Sequence, residues 1–81
     1  MMDGNSFLNK WPYGKAYMWK GKAIGVVPGL GGDTFIVARE TRGGHKRIKS
    51  SHLPVCTTAE MAQIHLDKFA ADRGLLEALN A

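Results

Sequence analysis

Little in this 81-residue chain points to covalent chemistry or to a membrane. Its one cysteine, Cys56, excludes an internal disulfide and favours a reducing, cytoplasmic location. No apolar run approaches the ~20 residues of a membrane-spanning helix. Residues 1–10 lack the apolar core of a secretory signal. We therefore expect a cytoplasmic protein without a membrane segment.

Acidic residues are also few, seven in all, and none pairs with another at helical spacing on an apolar face. A pair of catalytic carboxylates is therefore not indicated. Cys56 and His52 could form a nucleophile and its base, but no third orienting group is evident and a thin domain has little room for a deep pocket. His45, His52, Cys56 and His65 are the candidate metal ligands, but their irregular spacing in the sequence is not that of the paired ligands of a zinc site. The sequence predicts no enzyme, no metal site and no cofactor.

Glycine, by contrast, is plentiful, with ten residues that suggest tight turns between short strand-forming segments. Four such segments follow one another with short connections, which predicts an antiparallel meander. Gly25, inside the second segment, indicates a bulge or the close approach of another element. The predicted strands are residues 17–19, 22–27, 34–41 and 45–51.

The clearest local signal is a helix in the last third of the chain. Thr57 and Glu60 have the spacing of a capping box in which Thr57 is the N-cap. Gly74 is a natural residue to end the helix, and the three leucines after it are expected to form a last turn beneath the core. Apolar positions between these ends recur at helical spacing and can lie across a sheet. The predicted stripe is Ala62, Leu66, Phe69 and Arg73.

These elements predict an α+β fold, a three- to four-stranded antiparallel β-meander with one C-terminal amphipathic helix packed on one face. Residues 15–81 are expected to form this single ββββα domain, preceded by a flexible N-terminal arm of residues 1–14. Trp11 and Tyr13 within the arm are large aromatics, which are seldom left in water, so they are candidates to fold back onto the domain.

The net charge of +4 is unevenly distributed along the chain. Residues 1–56 hold nine Lys and Arg against three acids, whereas residues 57–81 hold two against four. The basic excess therefore belongs to the predicted sheet, where it can steer the domain toward a polyanion. Ordinary solubilising charge is the alternative interpretation.

The densest cluster of cations lies on the third and fourth predicted strands. Arg47 and Lys49 should project from the same face, and Arg39 is expected to extend their row from the neighbouring strand. Such a row can contact successive phosphates or enter a groove of DNA. A solvated hairpin that uses charge to avoid edge pairing accounts for the same pattern. The candidate nucleic-acid-binding residues are Arg39, Arg42, Lys46, Arg47 and Lys49.

The stretch from Phe35 to Gly74 reads FIVARETRGGHKRIKSSHLPVCTTAEMAQIHLDKFAADRG, a basic hairpin followed by a helix with a T-x-x-x-A pattern. It resembles the arm-type N-terminal domains of tyrosine recombinases and the related AP2-like DNA-binding domains. The resemblance implies a sheet in the major groove of double-stranded DNA with the helix behind it. It also implies DNA-facing Arg39, Arg47 and Lys49, with Arg42 and Lys46 on phosphates near the hairpin tip.

The sequence thus leaves two functions open. The first is a small non-enzymatic module that binds nucleic acid, with double-stranded DNA as partner, through the basic outer face of its sheet. The second is a protein-interaction or homo-oligomerising accessory protein, similar to those of phages and prophages, that has no nucleic-acid role and is a monomer or weak homodimer. Ile64 motivates the second, because it lies opposite Leu66 and Phe69 on the helical wheel and should be exposed. Tyr17 and Trp19 are also expected on the surface.

Overall fold

The computed structural model of the chain describes residues 11 and 13–78 and contains one antiparallel sheet with a helix on one side. The strand order is the order in sequence, so the sheet is a meander. The predicted α+β class and its single C-terminal helix are therefore confirmed. The elements are β1 (Tyr17–Trp19), β2 (Lys22–Pro28), β3 (Phe35–Thr41), β4 (Gly44–Arg47) and α1 (Ala59–Arg73).

The two hairpin turns of the sheet are tight. Between β1 and β2, Lys20 and Gly21 both have positive φ values, 53° and 79°, as the favoured two-residue hairpin turn requires. Between β3 and β4, Thr41 pairs with Gly44, so that turn also contains two residues. Because consecutive strands of a meander reverse direction, both turns lie at the same end of the sheet. The β2–β3 loop, residues 29–34, lies at the opposite end.

The larger part of the core lies between the sheet and α1, on what we term the helix side of the sheet. Ile24 and Leu66 are fully buried there, because strand alternation and the helical stripe bring their apolar faces together. Trp19 packs edge-to-face on Phe69, with 5.5 Å between ring centroids. The buried residues of this cluster are Ile24, Val26, Val37, Ile48, Leu53, Cys56, Ala62, Leu66 and Phe69.

The opposite face, termed the far side, has a smaller apolar cluster built around Trp11. Trp11 is only 4% exposed, and its ring lies directly over Gly25 of β2, where a Cβ atom would overlap it. The close approach indicated by Gly25 is therefore confirmed. Residues 1–10 of the predicted arm lie outside the described residues. The cluster consists of Trp11, Ala16, Val27, Ala38 and Ala78.

The N-cap of α1 differs from the prediction by one residue. Thr58, not Thr57, is the N-cap, and its side chain accepts a hydrogen bond from the amide of Met61 at 3.1 Å. Glu60 is then the second residue of the helix, where its negative charge interacts favourably with the positive end of the helix dipole. It cannot complete the capping box, because that motif requires the acid at the third residue. No helix in the described part of the chain is both long enough and apolar enough to span a bilayer.

The C-terminal end of α1 is as predicted. Gly74 is left-handed, with φ 65°, and its amide donates back to the carbonyls of Ala70 and Ala71. Of the predicted stripe, Arg73 alone is exposed, and its guanidinium lies 3.9 Å from the centroid of the Phe69 ring.

The segment after α1 does not form the expected turn beneath the core. It runs beside β1, where the amide of Met18 donates to the carbonyl of Leu76 and the amide of Ala78 donates to that of Ala16, both at 2.8 Å. Leu75 is half-buried against the core, Leu76 is exposed, and Leu79 lies outside the described residues. The segment therefore pairs with the outer edge of β1.

A polar contact fixes α1 against β1. The hydroxyl of Tyr17 donates to Oδ1 of Asp67 at 2.7 Å, and Nε2 of Gln63 donates to the same oxygen at 2.8 Å. Gln63 Nε2 also donates to the carbonyl of Lys15 at 3.1 Å. Since removal of the Tyr17 proton would place two anions together, this hydrogen bond, with burial and the nearby charges of Asp67 and Glu77, raises the pKa of Tyr17 to about 12.

This contact predicts a loss of stability at alkaline pH. The folded state holds the Tyr17 proton more tightly than the unfolded chain, whose pKa is near 10.0. The contribution is complete below pH 10 and is lost as pH rises toward 12. We expect the phenolate absorbance difference between the protein and its Tyr17→Phe variant to titrate near pH 12. In Asp67→Asn the transition should move toward 10, and an unchanged transition would contradict the role of Asp67.

Candidate nucleic-acid interface

The cations singled out by the sequence do not form one row on the outer face of the sheet. Arg39 lies opposite Ile24 on one neighbouring strand and opposite Lys46 on the other, which places both cations on the helix side. Arg47 lies opposite Ala38 and therefore points to the far side. The expected row of Arg39, Arg47 and Lys49 is wrong, because the pairing register sets Arg39 out of phase with Arg47. Lys49 is exposed just beyond the end of β4.

Most of these cations nevertheless converge at one end of the molecule. Arg39 and Lys46 lie toward the tip of the β3–β4 hairpin, and Arg42 is in its turn. The β1–β2 turn brings Lys20 and Lys22 to the same end of the sheet, because both turns lie there. All five side chains are exposed. We term this group, Lys20, Lys22, Arg39, Arg42 and Lys46, the cationic end.

An aromatic side chain, Trp19 of β1, lies beside cations of the cationic end. Trp19 is half-buried on the helix side, and Nζ of Lys20 lies 4.6 Å from the centroid of its ring. The ring borders a shallow recess of about 140 Å³ that Arg39, Lys46, Arg47 and Ile48 complete. An indole beside guanidinium and ammonium groups offers both a stacking surface and hydrogen-bond donors, which phosphates and bases require.

The cationic end has an electrostatic cost in the free protein. Arg39 and Lys46 are directly opposite each other, and like charges in that arrangement destabilise a sheet. Lys15 Nζ and Glu77 Oε1 form an ion pair, 3.9 Å apart, beside β1 and away from these two cations. Five cations gathered at one end of the sheet create a positive potential there, which attracts anions.

Cys56 and the histidines considered from the sequence lie away from the cationic end or make structural contacts. The thiol of Cys56 is buried and donates to the carbonyl of Pro54 at 3.4 Å, which gives it a structural contact. His52 and His65 border a recess of about 160 Å³ between α1 and the segment of residues 51–52. Within residues 11 and 13–78, no three His, Cys, Asp or Glu side chains are grouped to hold a metal ion.

The apolar surface predicted for a protein partner is present only in part. Ile64 is 65% exposed, as its helical position indicated. Tyr17 and Trp19, expected on the surface, are half-buried instead, because α1 crosses the sheet above them and supplies Asp67 and Phe69 as partners. Ile64 therefore has no contiguous aromatic surface beside it on the sheet.

Lys20, Lys22 and Trp19 were not among the residues selected from the sequence. The predicted meander could have identified them, because its first and third turns must lie at the same end of the sheet. Comparison of the chain with protein-family models, with curated proteins and with solved structures found no match. The resemblance to arm-type domains therefore stays a prediction, and the candidate interface rests on its own geometry.

Proposed function

We propose that this protein is a small non-enzymatic module that binds double-stranded DNA through the cationic end. The observation that carries the proposal is the convergence of two hairpin turns, which gathers five exposed cations at one end of the sheet. Binding at such a surface gains free energy by releasing the counterions condensed on DNA phosphates. The like-charge pair of Arg39 and Lys46, which costs stability in the free protein, would be relieved by a bound phosphate.

The spacing of the turns suits a duplex. The β1–β2 and β3–β4 hairpins are two strand spacings apart, about 10 Å. The major groove of B-form DNA is about 12 Å wide. Lys20 and Arg42 at the two tips can therefore reach phosphates on both sides of one groove, with the Trp19 recess between them. Arg47 and Lys49 add positive charge beside this contact, and the buried free thiol of Cys56 suits a cytoplasmic protein.

A pair of charge reversals tests the proposal. Lys20→Glu with Lys22→Glu removes two cations from the interface, and we expect weaker binding of a labelled duplex at low salt, measured by fluorescence anisotropy. The slope of log K against log salt concentration should become shallower by about 2. Lys15→Glu with Lys68→Glu makes the same change in net charge on exposed positions outside the cationic end, so its slope should stay close to that of the unmodified protein.

Two results would count against this function. The first is no binding of duplex DNA at low salt with tens of micromolar protein, a range that reaches ordinary non-specific affinities. The second is an equal loss of affinity in both double variants, because net charge would then govern binding and the cationic end would have no special role.

A further inference from the structure

Within residues 11 and 13–78, one outer edge of the sheet is paired and the other is not. The outer edge of β1 is bonded to the segment after α1 through Met18 and Ala78. At the other edge β4 is the last strand of the described sheet, and all four of its residues are exposed. An edge strand with unpaired backbone groups is a template for the addition of another strand.

The hydrogen-bond pattern identifies the backbone groups that β4 offers. The amide of Ile48 donates to the carbonyl of Val37 at 3.0 Å, which fixes the phase of the β3–β4 ladder. Antiparallel bonding alternates along a strand, so Lys46 turns its amide and carbonyl toward β3. His45 and Arg47 therefore turn theirs outward. These two residues offer two donors and two acceptors to an added strand.

The same two residues border an apolar groove on the far side. The groove measures about 560 Å³, and its other lining residues include Tyr13, Val27 and Ile36. Leu30, in the β2–β3 loop, lines it as well and is fully exposed. An adjoining recess of about 310 Å³ extends the apolar surface past Leu30 and Ile36 to Val55. Contiguous exposed apolar surface of this kind is typical of an interaction site.

Charge decides which strand fits this edge. β4 carries Lys46 on the helix side and Arg47 on the far side, with Arg42 and Lys49 at its two ends. A second copy of β4 would bring cations against cations, and no acid of β4 could compensate them. An acidic strand is favoured instead. Because side chains alternate, its residues on one face would meet Lys46 and Arg39, while those on the other would meet the groove.

We propose that β4 and the far-side groove form a docking site for an extended peptide of alternating acidic and apolar residues. Its main chain pairs with the outward groups of His45 and Arg47. Its carboxylates meet Lys46 and Arg39 on the helix side, and its apolar side chains lie on the far side against Ile36 and Leu30. The edge and the far-side groove lie outside the DNA contact of the two turns, whereas Lys46 and Arg39 belong to both sites.

A capped peptide of alternating Glu and Leu tests the site, with binding followed by amide chemical shifts of the full chain. The amides of His45 and Arg47 should shift and exchange more slowly with solvent, because they become hydrogen-bonded. The same peptide with N-methylated Leu amides lacks the main-chain donors and should not bind. A peptide of alternating Lys and Leu should bind more weakly than the Glu peptide.

Two variants localise the contact. Lys46→Glu should weaken binding of the Glu–Leu peptide by about tenfold and strengthen that of the Lys–Leu peptide, because Lys46 faces the peptide's charged side chains on the helix side. Leu30→Ser removes a fully exposed side chain, so the fold should persist while affinity for both peptides falls. Lys20→Glu with Lys22→Glu should leave peptide binding unchanged, which separates this site from the DNA-binding proposal.

Several results would overturn the site. They are absence of Glu–Leu binding, retained binding of the N-methylated peptide, and shifts confined to amides outside β4 and the groove. A concentration-dependent dimer that the Glu–Leu peptide does not dissociate would show that a second copy occupies the edge, and would also contradict the proposal.

Discussion

Replacement of Gly25 by valine is expected to expel Trp11 from the far side of the sheet. The ring of Trp11 occupies the space into which a Cβ atom at Gly25 would project. Alanine forces the ring to shift, a change of the kind that costs about 1–3 kcal/mol. Valine adds two further methyl groups and should remove the ring from the sheet. The free energy of unfolding should then fall by about 3–5 kcal/mol, the usual cost of deleting a buried Trp side chain.

Urea denaturation measures this loss, and a red shift of tryptophan emission should accompany it as Trp11 enters water. Gly43→Ala is the matched control, because a Cβ atom there meets nothing within 4 Å. A double-mutant cycle with Trp11→Ala gives the sharper answer. If the clash is the cause, Gly25→Val should cost far less when Trp11 is absent. Strictly additive effects would show that Gly25 serves the strand in another way.

The elements of this fold could be predicted because each has a local signature. Strand-forming runs between glycine turns predicted the four strands, and helical spacing predicted α1. Gly25 even indicated the packing of another element, since a glycine inside a strand leaves space above the backbone. That Trp11 would fill this space could not be derived, because the contact joins residues whose approach depends on the path of the chain before β1.

The face on which each candidate cation lies depends on the pairing register of β3 and β4. The sequence indicated this register less clearly than it indicated the strands themselves. The two-residue turn of Arg42 and Gly43 pairs Thr41 with Gly44 and therefore Arg39 with Lys46. A register one residue different would have placed Arg39 on the same face as Arg47, which is the arrangement that strand alternation alone predicted. The faces of the cations were therefore mispredicted, although the hairpin that carries them was predicted correctly.

The position of the N-cap shows a similar limit. Thr57 and Thr58 are both good N-cap residues, and local sequence does not choose between them. The choice follows from a contact distant in sequence, since Cys56 exchanges two backbone hydrogen bonds with Phe35, at 2.7 and 2.9 Å. This bridge keeps the chain extended past Cys56, and the helix begins one residue later than predicted. Tertiary pairing of the same kind draws the segment after Gly74 onto β1.

Replacement of Leu66 by alanine is expected to remove much of the stability of the domain. Leu66 is 0% exposed, at the centre of the contact between α1 and the sheet. Loss of a buried leucine side chain costs about 2–5 kcal/mol through the lost burial and the cavity left behind. A domain of this size has a total stability of roughly 4–12 kcal/mol. Alanine is the better helix former, so the loss reports on packing and not on helix propensity.

Ile64→Ala provides the control on the same helix. Ile64 is 65% exposed, and surface substitutions of this kind usually change stability by about 0.5 kcal/mol or less. Both variants place alanine in α1, but Leu66 is buried and Ile64 is exposed. The difference between their urea midpoints therefore measures the contribution of the core contact of Leu66. Equal losses would contradict the assignment of Leu66 to the core. Because the sheet holds the two hairpin turns together, a population unfolded by Leu66→Ala should also lose the cationic end, and its DNA affinity should fall in proportion to the folded fraction.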